Sequence, residues 1–253
     1  MSNPRTLLGF VLPALLAIYW YVWSSGPGAT ATSFAPVHDV LATLAEELRD
    51  GQLLRDSLAT VTRALTGFAL GSVAGVLLGV AMAVSRPVEA AVGPLFHALR
   101  QVPLLGWLPL IGLWLGTGDQ AKMLMVSLAA FYPSVLNAFA GVSGVDKRYH
   151  EVAEVYGFDD EQRFFKLLLP AAAPTILTRL SQALAFAWIG TIGAELLLGT
   201  GSGLGATLSM GQIQQRMDIV LVAIAATGAL GFTLNAVLLR IRRHLLRWQP
   251  AAI

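Results

Sequence analysis

The sequence predicts an all-α membrane protein with six transmembrane helices and both chain ends on one side. Three observations carry this. Of 253 residues, 55% are hydrophobic and only 13% charged, whereas a soluble domain carries about 25% charged residues. The apolar residues come in runs of about 20, the length that crosses a bilayer as a helix. Lys and Arg outside those runs gather on one side of the resulting topology, the side that stays in the cytoplasm.

The first run covers about Thr6 to Ser24. It is too long for the apolar core of a signal peptide, although Ala29-Thr-Ala31 resembles a cleavage site. It reads as a retained anchor. After Pro36, Val37, Val40, Leu41, Leu44 and Leu48 recur at helical spacing beside Glu46, Glu47, Arg49 and Asp50. This is an amphipathic surface helix. The second run extends from about Ser57 to Val84 and stops at Ser85-Arg86-Pro87. Gly67, Gly71, Gly75 and Gly79 lie four apart within it, one stripe that lets another helix approach closely.

The third run, about Pro94 to Gly116, is interrupted by Pro103 and Pro109. Broken backbone survives in a membrane only when buried in protein or lining a cavity. The fourth run covers about Gln120 to Val142. A polar stretch from Ser143 to Lys166 follows, then a fifth run from Pro170 to about Leu198. The Gly-rich turn 199–205 leads into a short polar segment, and the sixth run covers about Asp218 to Leu239. Arg5, Arg86, Lys147, Arg148, Arg163, Lys166 and the arginine-rich tail fall on one side. Arg49, Arg55, Lys122 and Arg216 fall on the other. Both termini and the 143–166 loop are therefore expected in the cytoplasm.

That loop has its own physical logic. Arg148 to Tyr156 can form two to three turns of helix. Gly157 can take the left-handed conformation that ends a helix. A second short helix would begin near Asp159, with Asp159, Asp160 and Glu161 at its positive N-terminus. Pro170 then opens the next membrane helix, where a proline costs little. The product is a hairpin projecting from the bilayer. Ala153 would keep one face small enough to enter a groove on a partner, and Glu151 would offer a carboxylate to cap or pair.

The spacing Glu151-x-Ala153-x3-Gly157-x9-Leu167-x-Leu169-Pro170 resembles the EAA loop of the membrane subunits of ATP-binding-cassette (ABC) importers. The resemblance runs from about Ala35 to Trp248 and is closest to the nitrate, sulfonate and taurine branch. It is carried by Leu65-Thr-Gly-Phe68 with Gly75, Gly79 and Ser85-Arg86; by Leu99-Arg100-Gln101-Val-Pro103 through Trp107-Leu-Pro109 and Leu113-Trp114-Leu-Gly116; by Leu169-Pro170-Ala-Ala-Ala-Pro174 with Ile176-Leu-Thr178; and by Ala187-Trp188 and Ala194-Glu195 before Gly203-Leu-Gly205. Val152 and Leu167 are mild departures. Where that branch has Gly-Leu-Arg, this chain has Arg179-Leu-Ser181. The basic residue has moved two places, about 200° around a helix, so its usual role is not carried over.

The resemblance implies a type I ABC importer permease fold. Two copies of the chain would form the pore, and two cytoplasmic ATPases would engage the loops through Glu151, Ala153, Gly157, Leu167 and Pro170. A periplasmic or lipid-anchored binding protein would deliver the solute at the bacterial inner membrane. ATP and Mg would be bound by the ATPase, with no cofactor in this chain. The implied solute is a small anion of the sulfonate, taurine or nitrate class; a thiamine-precursor pyrimidine is the alternative within the family. The implied organisation is an anchor and surface segment over 1–56, a permease domain over 57–243 and a cytoplasmic tail over 244–253.

Ionisable and amide groups inside spans are functional candidates by default. Arg100, Gln101, Asn137, Arg179, Gln182 and Glu195 are the candidates for a translocation pathway. Arg100 and Arg179 are the sharpest for an anion, although both are placed where they could snorkel to headgroups. No catalytic residue is assigned: an intramembrane enzyme would need an activated nucleophile or a metal motif. The phosphate-loop pattern is missing, so the chain cannot power itself. A secondary transporter would show broken helices in both halves. His38, His97, His150 and His244 lack metal-ligand spacing, there is no cysteine, and no concentrated basic face suits nucleic acid.

Overall fold

The computed structural model describes residues 11–12, 15, 18–24, 35–199 and 201–246. The regular structure of these residues is helical, with no strand among them. Part of the first predicted span and the end of the tail lie outside the described residues; Ile18–Ser24 of that span is helical. Helix α1 (Val37–Arg49) is the expected amphipathic helix. Its Val40 and Leu44 pack on Leu53, Leu204 and Val222. Gly51, at φ +68, turns the chain directly into α2 (Gln52–Val84). That helix starts five residues earlier than the apolar run suggested, because Leu53 and Asp56 are both buried.

The third span needs correction. Instead of one Pro-broken segment from Pro94 to Gly116, the chain forms α3 (Arg86–Leu99), a corner, a 3-10 turn at Leu104–Trp107, and α4 (Leu108–Leu115). The two arms are bent by 89°. Only Pro103 sits at the break. Pro87 and Pro109 occupy first turns, where the missing N–H has no helical partner anyway.

Helix α5 (Asp119–Ser143) lies between α2 and α7 (Asp160–Leu198). Gly67, Gly71, Gly75 and Gly79 line the face of α2 that meets α5. A Cβ on Gly75 would stand 2.6 Å from the Phe131 carbonyl oxygen. Only the missing side chain lets the two backbones come so close. Short helix α6 (Lys147–Val155) precedes α7. After α7 come α8 (Leu204–Ile213) and α9 (Met217–Leu245). Among the described residues four helices, α2, α5, α7 and α9, are long and apolar enough to cross a membrane, and a fifth span results if α3 and α4 count as one. The six-span expectation therefore rests on the first run, which is described only in part.

The termini of the spanning helices define two ends. Val84, Ser143, Asp160 and Arg163 line one cleft of about 630 Å³ and mark the hairpin end. Asp56, Asp119 and Glu195 mark the opposite end. There Thr43 of α1 donates to Asp218 Oδ2 at 2.6 Å, and Arg216 pairs with the same carboxylate, tying α1 to the start of α9.

Candidate functional site

The hairpin is built from its caps outward. Asp146 Oδ1 accepts from the Arg148 N–H at 3.0 Å and starts α6. At the other end Gly157, at φ +65, closes the helix. Its N–H reaches the Glu154 carbonyl at 3.0 Å, and the Phe158 N–H reaches back to the Ala153 carbonyl at 2.9 Å. These are the two bonds of a Schellman cap. Asp159 Oδ1 then accepts from the Gln162 N–H at 2.7 Å and starts the second arm.

Two expectations change here. The second arm is not a separate helix ended before Pro170. It runs without interruption into the membrane span, through a π-helical segment at Arg163–Leu168. The Leu169 N–H bonds to the Phe164 carbonyl, five residues back. A proline in a regular α-helix clashes with the carbonyl four residues before it. Widening the register just ahead of Pro170 moves that carbonyl away, so no break is needed. Ala153 is the second correction. It is 1% exposed and covered within this chain, where α6 packs on the Arg163–Leu168 segment. Its small size lets the arms of the hairpin close rather than fitting a partner's groove. The outward surface instead shows Glu151, Val152, Val155 and Tyr156, the last two 85% and 74% exposed. Leu167 is half-buried and Pro170 exposed.

Within the spans, the candidate pathway residues separate. Asn137 on α5 is buried and donates from Nδ2 to the Arg179 carbonyl at 3.4 Å and to Gln182 Oε1 at 3.5 Å. Arg179 and Gln182 are exposed, as are Thr175 and Thr178. At 3.6 residues per turn, positions 175, 178, 179 and 182 fall on one face. A membrane helix thus carries an uncovered polar stripe. Arg100 and Gln101 are exposed too, but at the corner after α3.

Glu195 belongs elsewhere and leaves the pathway set. It is 0% exposed and sits at the centre of a buried polar network at the end opposite the hairpin. Arg63 pairs with it and, through its other nitrogen, with Asp119 at 2.6 Å. Thr60 donates to both its oxygens, at 3.1 and 2.9 Å. The N-terminus of α8 completes the shell: Gly205 N–H to Glu195 Oε2 at 3.0 Å, Leu204 N–H to Thr60 Oγ1 at 2.9 Å, and Gly203 N–H to Asp56 Oδ1 at 3.0 Å. Acidic groups thus satisfy the first amides of a helix, where its dipole favours them. Gly203, at φ +138, leaves no room for a side chain, since a Cβ would stand 2.6 Å from Glu195 Oε1. Lys122, assigned to the side opposite the hairpin, is 1% exposed beside this network. Sequence reading missed Asp56, Thr60, Arg63 and Asp119. The usable signal was the i, i+4, i+7 spacing of Asp56, Thr60 and Arg63 on α2, with an arginine inside an apolar run.

Helices of membrane-crossing length with a capped hairpin at one end define a multi-span membrane protein. The family model described as "Binding-protein-dependent transport system inner membrane component" matches residues 71–249. The putative aliphatic sulfonates transport permease SsuC of Bacillus subtilis is 32% identical, with 95% of this chain and 87% of that protein covered. The taurine transport system permease TauC of Escherichia coli is 31% identical, over 98% and 91%. The nitrate import permease NrtB of Synechocystis is 28% identical, over 92% and 86%. Among solved structures, the MetNI methionine ABC transporter in an inward-facing form superposes with a TM-score of 0.64 at 19% identity, covering 76% of this chain and 95% of that one.

The chain belongs to the binding-protein-dependent transport permease family. It is an inner-membrane permease subunit of an ABC importer and is similar to sulfonate, nitrate and taurine permeases. It is not an enzyme and holds no cofactor, because ATP hydrolysis in such systems belongs to a partner ATPase.

Proposed function

We propose that two copies of this chain form the route for a small oxyanion of the sulfonate, taurine or nitrate class, driven by two cytoplasmic ATPases docked on the hairpins. The observation that carries the reading is the exposed stripe of Thr175, Thr178, Arg179 and Gln182. A charged group on a spanning helix is expensive in lipid and faces protein or water. A second copy meeting this face would enclose a polar route, with Asn137 steadying its wall and Arg100 and Gln101 at the bent pair's corner. Glu151, Gly157, Leu167 and Pro170 set the hairpin that meets the ATPase, with both termini on the same cytoplasmic side. The names of the sulfonate, taurine and nitrate relatives support the solute class. Segment 57–243 is the translocating unit, 1–56 an anchor and 244–253 a tail.

The test is reconstitution of the chain with its ATPase and binding protein in proteoliposomes. Uptake of labelled taurine, an alkyl sulfonate or nitrate should require ATP and the binding protein. Native mass spectrometry should show two permeases with two ATPases. Transport by a stable monomer, or uptake of none of the three anions by an active complex, would defeat the reading.

A further inference from the structure

At the hairpin end, the first turns of α7 stand away from α2 and α5. The cleft between them, about 630 Å³, falls in the range of about 300–1,000 Å³ typical of ligand pockets. Ala83 and Val84 at the end of α2 and Val142 at the end of α5 form one wall, and Phe164 and Leu168 of α7 form the other. Its floor is core, for Val142 packs with Ala138, Ala172 and Ile176, and Ala83 lies against them. The polar lining is Ser143 and Asp160, both exposed, and Arg163, half-buried. Arg163, Phe164 and Leu168 all belong to the π-helical segment, a feature frequent at functional sites. The cleft also lies where the spans leave the bilayer. Val84 and Ser143 are the last residues of α2 and α5, and Leu168 comes two residues before Pro170.

A molecule filling this cleft sets an apolar part against the walls and a polar part at the membrane boundary, which is the division of a phospholipid. The polar groups specify its head. Arg163 offers a planar fork of donors suited to phosphate, and the Ser143 hydroxyl is a further donor. Arg163 also faces Glu154 at 3.9 Å, and its five N–H donors are enough to serve a phosphate as well. Asp160, three residues before Arg163 and on the same helical side, accepts from an ammonium. The last carbonyls of α2 and α5, the negative ends of their dipoles, favour that positive charge too. We infer that the cleft is a binding site for a phospholipid with a primary-ammonium headgroup, phosphatidylethanolamine, from the leaflet at the hairpin end. The bound lipid braces the hairpin: it fills the gap between the arm and the ends of α2 and α5, so displacement of the arm carries the bundle with it. The bracing role rests on reading the hairpin as the ATPase dock; the binding does not.

The test mixes the detergent-purified permease–ATPase complex with equal amounts of phosphatidylethanolamine, phosphatidylglycerol and phosphatidylcholine of one chain length. Native mass spectrometry reads which lipid stays bound. Phosphatidylethanolamine should be retained preferentially, because phosphatidylglycerol brings no ammonium to Asp160 and the trimethylammonium of phosphatidylcholine has no N–H to donate. Ser143→Trp fills the mouth from an exposed position, and Arg163→Gln removes the charge that meets the phosphate. Each should reduce retained phosphatidylethanolamine about tenfold, the worth of roughly one charge-assisted hydrogen bond. Lys166→Gln removes the same charge from the same segment outside the cleft and should retain the lipid. For the brace, the complex is placed in nanodiscs of phosphatidylglycerol with either phosphatidylethanolamine or phosphatidylcholine. ATP hydrolysis stimulated by the binding protein should be several-fold faster in the first, and Arg163→Gln should erase the difference. Equal retention of the three lipids by wild type overturns the site. So does unchanged retention in both Ser143→Trp and Arg163→Gln, with the ATPase still co-purifying. Equal hydrolysis in the two nanodiscs, with phosphatidylethanolamine selectively bound, overturns the brace. Failure of the wild-type chain to retain its ATPase strikes the functional reading instead, and the permease alone then reports the lipid.

Discussion

Arg63 and Glu195 form an ion pair in which neither side chain is more than 6% exposed, 132 residues apart in the chain. The pair joins α2 to α7, and through Asp119 it joins both to α5. Breaking a buried pair strands a charge and costs about 3–5 kcal/mol, whereas removing both partners costs far less. Arg63→Gln should therefore markedly lower the melting temperature in detergent. Arg63→Gln combined with Glu195→Gln should recover most of the loss. Additive losses in the double variant would show that the residues act independently.

Gly157→Val should uncouple the permease without unfolding it. Nothing stands within 4 Å of a Cβ at this position, so space is not the obstacle. The obstacle is φ +65, which is strongly disfavoured for a β-branched residue at a cost of roughly 1–2 kcal/mol. The cap would re-form with the hairpin aimed elsewhere. ATPase co-purification and stimulated hydrolysis should fall, while membrane insertion and the melting temperature of the bundle stay near wild type.

The two candidate arginines should behave differently from the tail. Arg179→Gln should slow uptake in reconstituted vesicles several-fold, since it alters the stripe in a low-dielectric route, with a smaller effect from Arg100→Gln at the corner. Arg242→Gln, half-buried on the otherwise exposed last turn of α9, should do little, because it lies outside the route and water and salt screen its charge. The check is initial uptake rate with ATPase content held equal.

Glu47 on α1 gives a pH signature. Burial pushes its carboxyl above the ordinary glutamate range, Asp56 adds to the shift, and Arg216 opposes it. One of its oxygens, Oε2, is buried without a hydrogen-bond partner. The folded state therefore holds this proton more tightly than the unfolded chain. Stability should rise as pH falls through the raised pKa and level off below the ordinary value. Glu47→Gln should remove this dependence and match the acid-stabilised protein at neutral pH. The measurement is melting temperature against pH for the two proteins. A wild type that loses stability relative to the variant on mild acidification would reverse the assignment.

Much of the architecture was legible because it is written in apolar run length and in punctuation. The Gly67–Gly79 stripe, the left-handed stop at Gly157 and the break at Pro103 each follow from one residue type at one spacing. What escaped depends on contacts between distant segments. Glu195 looked like a route residue on its own helix, and only the arrival of Arg63, Thr60 and the 203–205 amides shows that it is internally satisfied. Ala153 looked like a partner-facing notch because nothing local reveals the arm that folds over it. Proline punctuation also misled twice. Pro109 reads as an interruption yet sits in the first turn of α4, and Pro170 reads as a helix start yet a widened register lets the second arm pass through it unbroken.

That widened register at Arg163–Leu168 has a consequence for how one rod serves two tasks. A π-turn accommodates the equivalent of one extra residue in an α-helix, so it offsets everything beyond it by about 100° of azimuth. The part of α7 in the hairpin and the part bearing Arg179 are thereby out of phase. Mutations can tune one surface without recruiting the other's neighbours.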